Sequence, residues 1–148
     1  MPAVQTSYSA TRATAFAGMI VDTYHLTGVL SRSVKAAAAF GSIAVESGVD
    51  DQVQGVDPTH LKFVGVIVAD SAAYGAGVTN TYAANETAPV LRQGLIWVTA
   101  SVAVVAGEPA YFTTAGAITN VASGNTAIPN GRFDASAGAG ALVPLRIG

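Results

Sequence analysis

The feature that most narrows what this chain can fold into is the regular interval between turns in its second half. Val102–Val105, Ala110–Thr113, Ala117–Val121 and Ala141–Ile147 read as short strands. Gly107-Glu108-Pro109, Thr114-Ala115-Gly116, Ser123-Gly124-Asn125 and Pro129-Asn130-Gly131 separate them. A turn about every eight to twelve residues leaves no room for long helices and is the pattern of a β-sandwich or small barrel. Nineteen Val and fourteen Thr supply strand formers throughout, while sixteen Gly and six Pro cut the chain into short pieces. Leu61–Ala69, L-K-F-V-G-V-I-V-A, is bounded by Asp57-Pro58 and Asp70-Ser71 and predicts a central strand buried on both faces. Gly94–Thr99 alternates, with Leu95, Trp97 and Thr99 on one side and Ile96 and Val98 on the other. Trp97, Phe63 and Phe112 lie inside these strands and are expected to pack.

The expectation is an all-β chain: a compact β-barrel or jelly-roll-like sandwich over residues 15–148, an extended N-terminal arm over residues 1–14, and at most one short helix. The arm, M-P-A-V-Q-T-S-Y-S-A-T-R-A-T, is dominated by small and hydroxylated side chains and has no apolar period. The alanine run in Ser33–Phe40 and the small-residue stretch Ser71–Ala76 are the candidates for the helix. Neither is long enough to build the crossovers of a parallel α/β sheet.

Composition narrows the partner. Charged residues make up 11% of the 148, against about a quarter in an ordinary soluble domain, and mean hydropathy is +0.45. Something other than water is expected to cover part of the surface. A membrane-spanning helix needs about twenty apolar residues, and the longest strongly apolar uncharged stretch, Gln93–Gly107, is shorter and interrupted by Thr99 and Ser101. The polar N-terminus has neither the basic start nor the apolar run of a secretory signal. A net charge of −2 gives no electrostatic grip on nucleic acid. The absence of cysteine excludes disulfides and thiolate sites and fits synthesis in a reducing cytoplasm. A neighbouring protein subunit is therefore the expected cover, and self-association into a dimer or trimer is expected with it.

Reactive constellations are few. His25 and His60 each follow an aspartate by three residues, Asp22 and Asp57, but neither lies near a nucleophile motif, and Asp57-Pro58 reads first as a turn opener. Asp50, Asp51 and Asp57 lack the spacing of a calcium loop and read as a solvated one. No glycine run has phosphate-loop form. No cofactor or metal is expected, and no enzymatic activity. Tyr8, Tyr74 and Tyr82 fall in loop-like segments and are the aromatic interface candidates.

Several phrases together resemble the structural cement, or capsid decoration, proteins of tailed bacteriophages. They are A-F-A-G-M-I-V-D (Ala15–Asp22), L-S-R-S-V (Leu30–Val34), F-V-G-V-I-V-A-D (Phe63–Asp70), R-Q-G-L-I-W-V (Arg92–Val98), V-A-G-E-P-A-Y-F (Val105–Phe112), A-I-P-N-G-R-F-D (Ala127–Asp134) and A-L-V-P-L-R-I (Ala141–Ile147). The resemblance implies a non-enzymatic virion protein, made in the host bacterial cytoplasm, that sits on the outer capsid surface and bridges major capsid subunits. Low charge agrees, because interface cores are depleted in Lys, Glu and Asp. Contacts with the capsid or with neighbouring copies are expected at Tyr8, Arg12, Ser31, Arg32, Tyr74 and Tyr82, with Arg32 pairing a carboxylate of the shell. The competing reading is a carbohydrate- or receptor-binding β-sandwich built around an exposed Trp97, a role its place within L-I-W-V argues against.

Overall fold

The computed structural model describes residues 15–22, 28–70 and 80–148, and among these every regular element is a strand. In chain order they are β1 (Ile20–Asp22), β2 (Gly28–Val34), β3 (Ala38–Ala39), β4 (Ile43–Glu46), β5 (Gln52–Gly55) and β6 (Phe63–Ile67). They continue with β7 (Thr81–Tyr82), β8 (Thr87–Thr99), β9 (Pro109–Phe112), β10 (Ile118–Thr119), β11 (Thr126–Phe133) and β12 (Leu142–Ile147).

Strand β8, thirteen residues long, organises everything else. Its first half pairs antiparallel with β2 (Leu30↔Val90) and with β6 (Val66↔Leu91). Pairings of β2 with β5, β5 with β4 and β4 with β6 complete a ring, so β8, β2, β5, β4 and β6 form a closed five-stranded barrel. The second half of β8 leaves the barrel and pairs with β1 and β12. The sheet then runs from β12 through β11 and β9 to β10.

A change of phase in β8 lets one strand serve both bodies. Ala88 and Val90 point into the barrel with Val34, Ala44, Val53 and Ile67. Leu91, Ile96 and Val98 join the larger core between barrel and second sheet, with Phe112, Phe133, Val143 and Leu145. Residues 88 and 90 share a parity that 96 and 98 would continue onto the same face of a regular strand. The register to β2 slips by one residue between Val29↔Leu91 and Gly28↔Gln93, which makes Arg92 the extra residue of a bulge. Gly94, at φ 131°, follows it. The bulge turns the even-numbered residues over to the other face.

The predicted strands at Leu61–Ala69, Gly94–Thr99, Ala110–Thr113 and Ala141–Ile147 correspond to β6, the second half of β8, β9 and β12. β6 is central, bonded on both sides, although Phe63 and Val64 at its start are half-buried. Four expectations are corrected. Ser33–Phe40 is not a helix: Val34 is buried in the barrel and the Lys35 N–H donates to Val53 O at 2.9 Å, so strand pairing overrides the alanine propensity. Val102–Val105 is not a strand and contributes a single bridge, Val104↔Ala137. Pro129-Asn130-Gly131 does not separate two strands but lies inside β11, where Asn130 takes φ 53° and the register to β9 shifts. Trp97 lies outside the main core, half-buried opposite Pro144, because the bulge gives the inward face to Ile96 and Val98. Phe63 and Phe112 do pack, with ring centroids 6.1 Å apart. The arm over residues 1–14 and Ser71–Ala76 lie outside the described residues.

Candidate functional site

Two residues beyond each interior position, the same strand faces reach the open end of the barrel. Val34 leads to Arg32 and Leu30 on β2, Val90 to Arg92 on β8, and Ala44 to Glu46 on β4. Together with Phe63, Val64 and the turn from Gly48 to Asp51, these side chains line a depression of about 510 Å³ at the barrel mouth. The turn is held from within. Ser47 Oγ donates to Gln52 Oε1 at 2.9 Å and accepts the Val49 N–H, and Asp51 turns the chain with φ 59°. Arg32 Nη1 lies 3.4 Å from Asp51 Oδ1 and donates to the Ser31 carbonyl at 3.1 Å. The guanidinium predicted to meet a partner's carboxylate thus already has one on its own rim. Asp51 is 86% exposed, and a pair so open to water contributes little to stability and is free to exchange partners.

The mouth is flanked by an open strand edge. Ser33 and Lys35 donate to Asp51 O and Val53 O on the β5 side, whereas the Val34 N–H donates to Glu86 O on the β8 side. Alternation then turns the N–H and C=O of Val29 and Ser31 away from β8. The partner of Ser31 in the register is Pro89, whose own carbonyl faces β6 and accepts the Val68 N–H. β5 reaches only Ser33 and Val34, so among the described residues Val29 and Ser31 have no strand paired to them on the side away from β8.

Sequence reasoning selected Ser31 and Arg32; the structure brings Arg32 to this mouth with Asp50 and Asp51, while Ser31, its neighbour on β2, is exposed on the other face of the strand. Arg92 and Glu46 were missed, although an arginine breaking an apolar alternation two residues before a glycine is a bulge signal. Tyr82 lies toward the other end of the barrel, beside Thr87. Its ring stands edge-on to Phe40, and its hydroxyl donates to Val68 O at 2.8 Å. Burial, and then the charges of Asp70 and Glu86, push its pKa up. Tyr8, Arg12, Tyr74 and His25 lie outside the described residues.

Asp57 forms the turn opener read from the sequence. Oδ1 accepts from the Thr59 hydroxyl at 2.7 Å and from the backbone N–H groups of Thr59 and His60, while Oδ2 accepts from Gln54 Nε2 at 2.6 Å and meets His60 Nδ1 at 2.9 Å. The bond from Thr59, then that from His60, hold this carboxyl well below the usual carboxylate range. Glu108 is lowered by Asn120 and by the Val105 N–H. Depressed pKa values stabilise the fold above the unfolded-state values, and that contribution is lost as pH falls through the folded-state values. Asp57→Asn should therefore lower the melting temperature at pH 7, and the gap to the parent should narrow as pH is taken below about 4. A gap independent of pH, read by circular dichroism, would show that the carboxylate charge is not what the turn uses.

Comparison with known proteins follows from this geometry. The model of the family described as structural cement protein (E217 gp24/Pam3 gp6) matches residues 4–148. Among solved structures, a chain of the capsid of Myoviridae phage XM1 superposes with a TM-score of 0.74 at 18% identity, covering 98% of this chain and 97% of that one. The N base of head fiber gp8.5 of bacteriophage phi29 gives a TM-score of 0.50 at 15% identity, covering 83% and 95%. No curated protein matches.

Proposed function

The chain belongs to the structural cement protein family, a phage capsid structural protein, and from that premise we propose that it binds the outer surface of the head and bridges neighbouring major capsid subunits. The observation that carries this reading is the family match from residue 4 to residue 148. The phage XM1 capsid likeness supports it at the level of fold. The physics is additive. Each copy buries area across a seam that internal pressure would otherwise open, and many modest contacts held at fixed spacing act together. The closed barrel suits the task, since closure pairs most of its strand edges and leaves the start of β2 open. The contact elements in this reading are the 1–14 arm and the Leu30–Val34 segment, where Ser31 and Arg32 sit on an exposed rim. Self-association on the shell as a dimer or trimer, synthesis in the host cytoplasm and the lack of catalysis belong to the same reading.

Heads prepared with and without the protein test it. Electron microscopy should find added density outside the shell across subunit boundaries, and the bare heads should release DNA at a lower temperature. Density confined to the interior or the tail, or equal thermal release, would overturn the proposal.

A further inference from the structure

We propose that the open β2 edge beside the barrel mouth receives the N-terminal arm of a second copy, residues 3–12, as an added strand. This deepens the reading above by naming what the arm meets, and it is testable without a shell.

The receiving side is defined by hydrogen bonding. On the side away from β8, Val29 and Ser31 direct their N–H groups and the Val29 C=O outward with no strand beside them among the described residues, the Ser31 C=O accepts from the Arg32 guanidinium, and Val29 is 44% exposed. Neither a proline nor a lysine guards Gly28–Ser31, the devices by which isolated edges are usually blunted. β5 starts only at Gln52, beside Ser33, and the turn before it reaches Arg32 through Asp51, so no described strand pairs with Gly28–Ser31 on that side.

The arm has the complementary pattern. Val4, Thr6 and Tyr8 are strand formers that share one face of an extended chain, opposite Gln5, Ser7 and Ser9, and there is no Gly or Pro between residues 3 and 12. Ten residues span about 33 Å when extended, enough to cover a five-residue edge and reach the turn beyond it. Arg12 is the one charged side chain in residues 1–14, and the carboxylates of Glu46, Asp50 and Asp51 outnumber Arg32 and Arg92 at the mouth. Strand addition of this kind draws affinity from the main chain and register from alternate side chains. A second copy is the donor in this proposal, and the chain's own path enters at the opposite end of β6, so linkage within one chain is the outcome that the dilution experiment separates. Gly18 is bonded to Trp97 O and accepts the Ala69 N–H, beyond the C-terminal end of β6, whereas the mouth lies at the N-terminal end with Phe63.

The chain has no cysteine, so single cysteines report cleanly. Full-length Tyr8→Cys and Ser31→Cys proteins, mixed and treated with a short bis-maleimide, should give about tenfold more mixed dimer than Tyr8→Cys with Ser123→Cys, which places the thiol on an exposed turn of the second sheet. Ser31→Pro removes an N–H that no described residue uses, so it should keep the parental melting temperature and lose self-association in sedimentation. Deleting residues 1–14 should do the same. Cross-linking no higher than the control would overturn the proposal. So would efficient linkage within a single Tyr8→Cys/Ser31→Cys chain at high dilution, or unchanged association of folded Ser31→Pro. Shell binding by the arm-deleted protein would leave the capsid reading standing while removing the arm from it.

Discussion

Gly65→Val is expected to prevent the barrel from closing, and Gly65→Ala to destabilise it by about 1–3 kcal/mol. Gly65 sits where β6 crosses β8, and a Cβ placed there runs into the Leu91 carbonyl oxygen and comes within 2.6 Å of Val90 Cγ1. The first of these is backbone, so no rotamer change relieves the contact. Both colliding residues also hold the β6–β8 register, Val66↔Leu91 and Ile67↔Val90, that completes the ring. Gly55→Ala is the control. Gly55 has nothing within 4 Å of its would-be Cβ, and the substitution should change stability by no more than about 0.5 kcal/mol. Urea denaturation of the three variants separates the outcomes, and equal stability of the Gly65 and Gly55 alanine variants would mean that the crossing is looser than described.

Phe112→Ala should cost about 3–5 kcal/mol, a large share of the roughly 5–15 kcal/mol that holds an ordinary domain together. Phe112 has no exposed surface and lies in the core shared by barrel and second sheet, where its ring meets Phe63 at 34°. The loss includes both the transfer of the ring and the cavity left between two bodies whose strands fix their separation. Phe112→Leu should recover much of it. A Phe112→Ala protein within about 1 kcal/mol of the parent in urea would show that the two bodies do not depend on this contact.

The parts of the fold legible in the sequence were those that local pattern controls. Leu61–Ala69 and Ala141–Ile147 announce β6 and β12 through β-branched runs between turn residues, and Asp57-Pro58-Thr59-His60 announces its own turn. What escaped was set by distant partners. The alanine run after Val34 has helical propensity, but the Val53 carbonyl on the neighbouring strand β5 claims the Lys35 N–H. Asn130-Gly131 has the chemistry of a hairpin turn and is used as an irregularity inside β11. Trp97 was expected inside because its strand alternates correctly, yet which face points inward is decided by the bulge at Arg92. The candidate site was half legible for the same reason. Arg32 stood out in a family-like phrase, whereas Glu46, Asp51 and Arg92 reach it only once five strands have closed.

The placement of β12 has a consequence for how the molecule is made. Its six residues lie between β11 and β8, so chain present only from residue 142 onward joins the two halves of the second sheet. A nascent polypeptide that stops short of Leu142 would carry two raw margins where the finished one has a seam. Contacts this far apart along the chain also form slowly. Ribosome stalling or proteolytic clipping before β12 is in place should therefore yield sticky, protease-sensitive material.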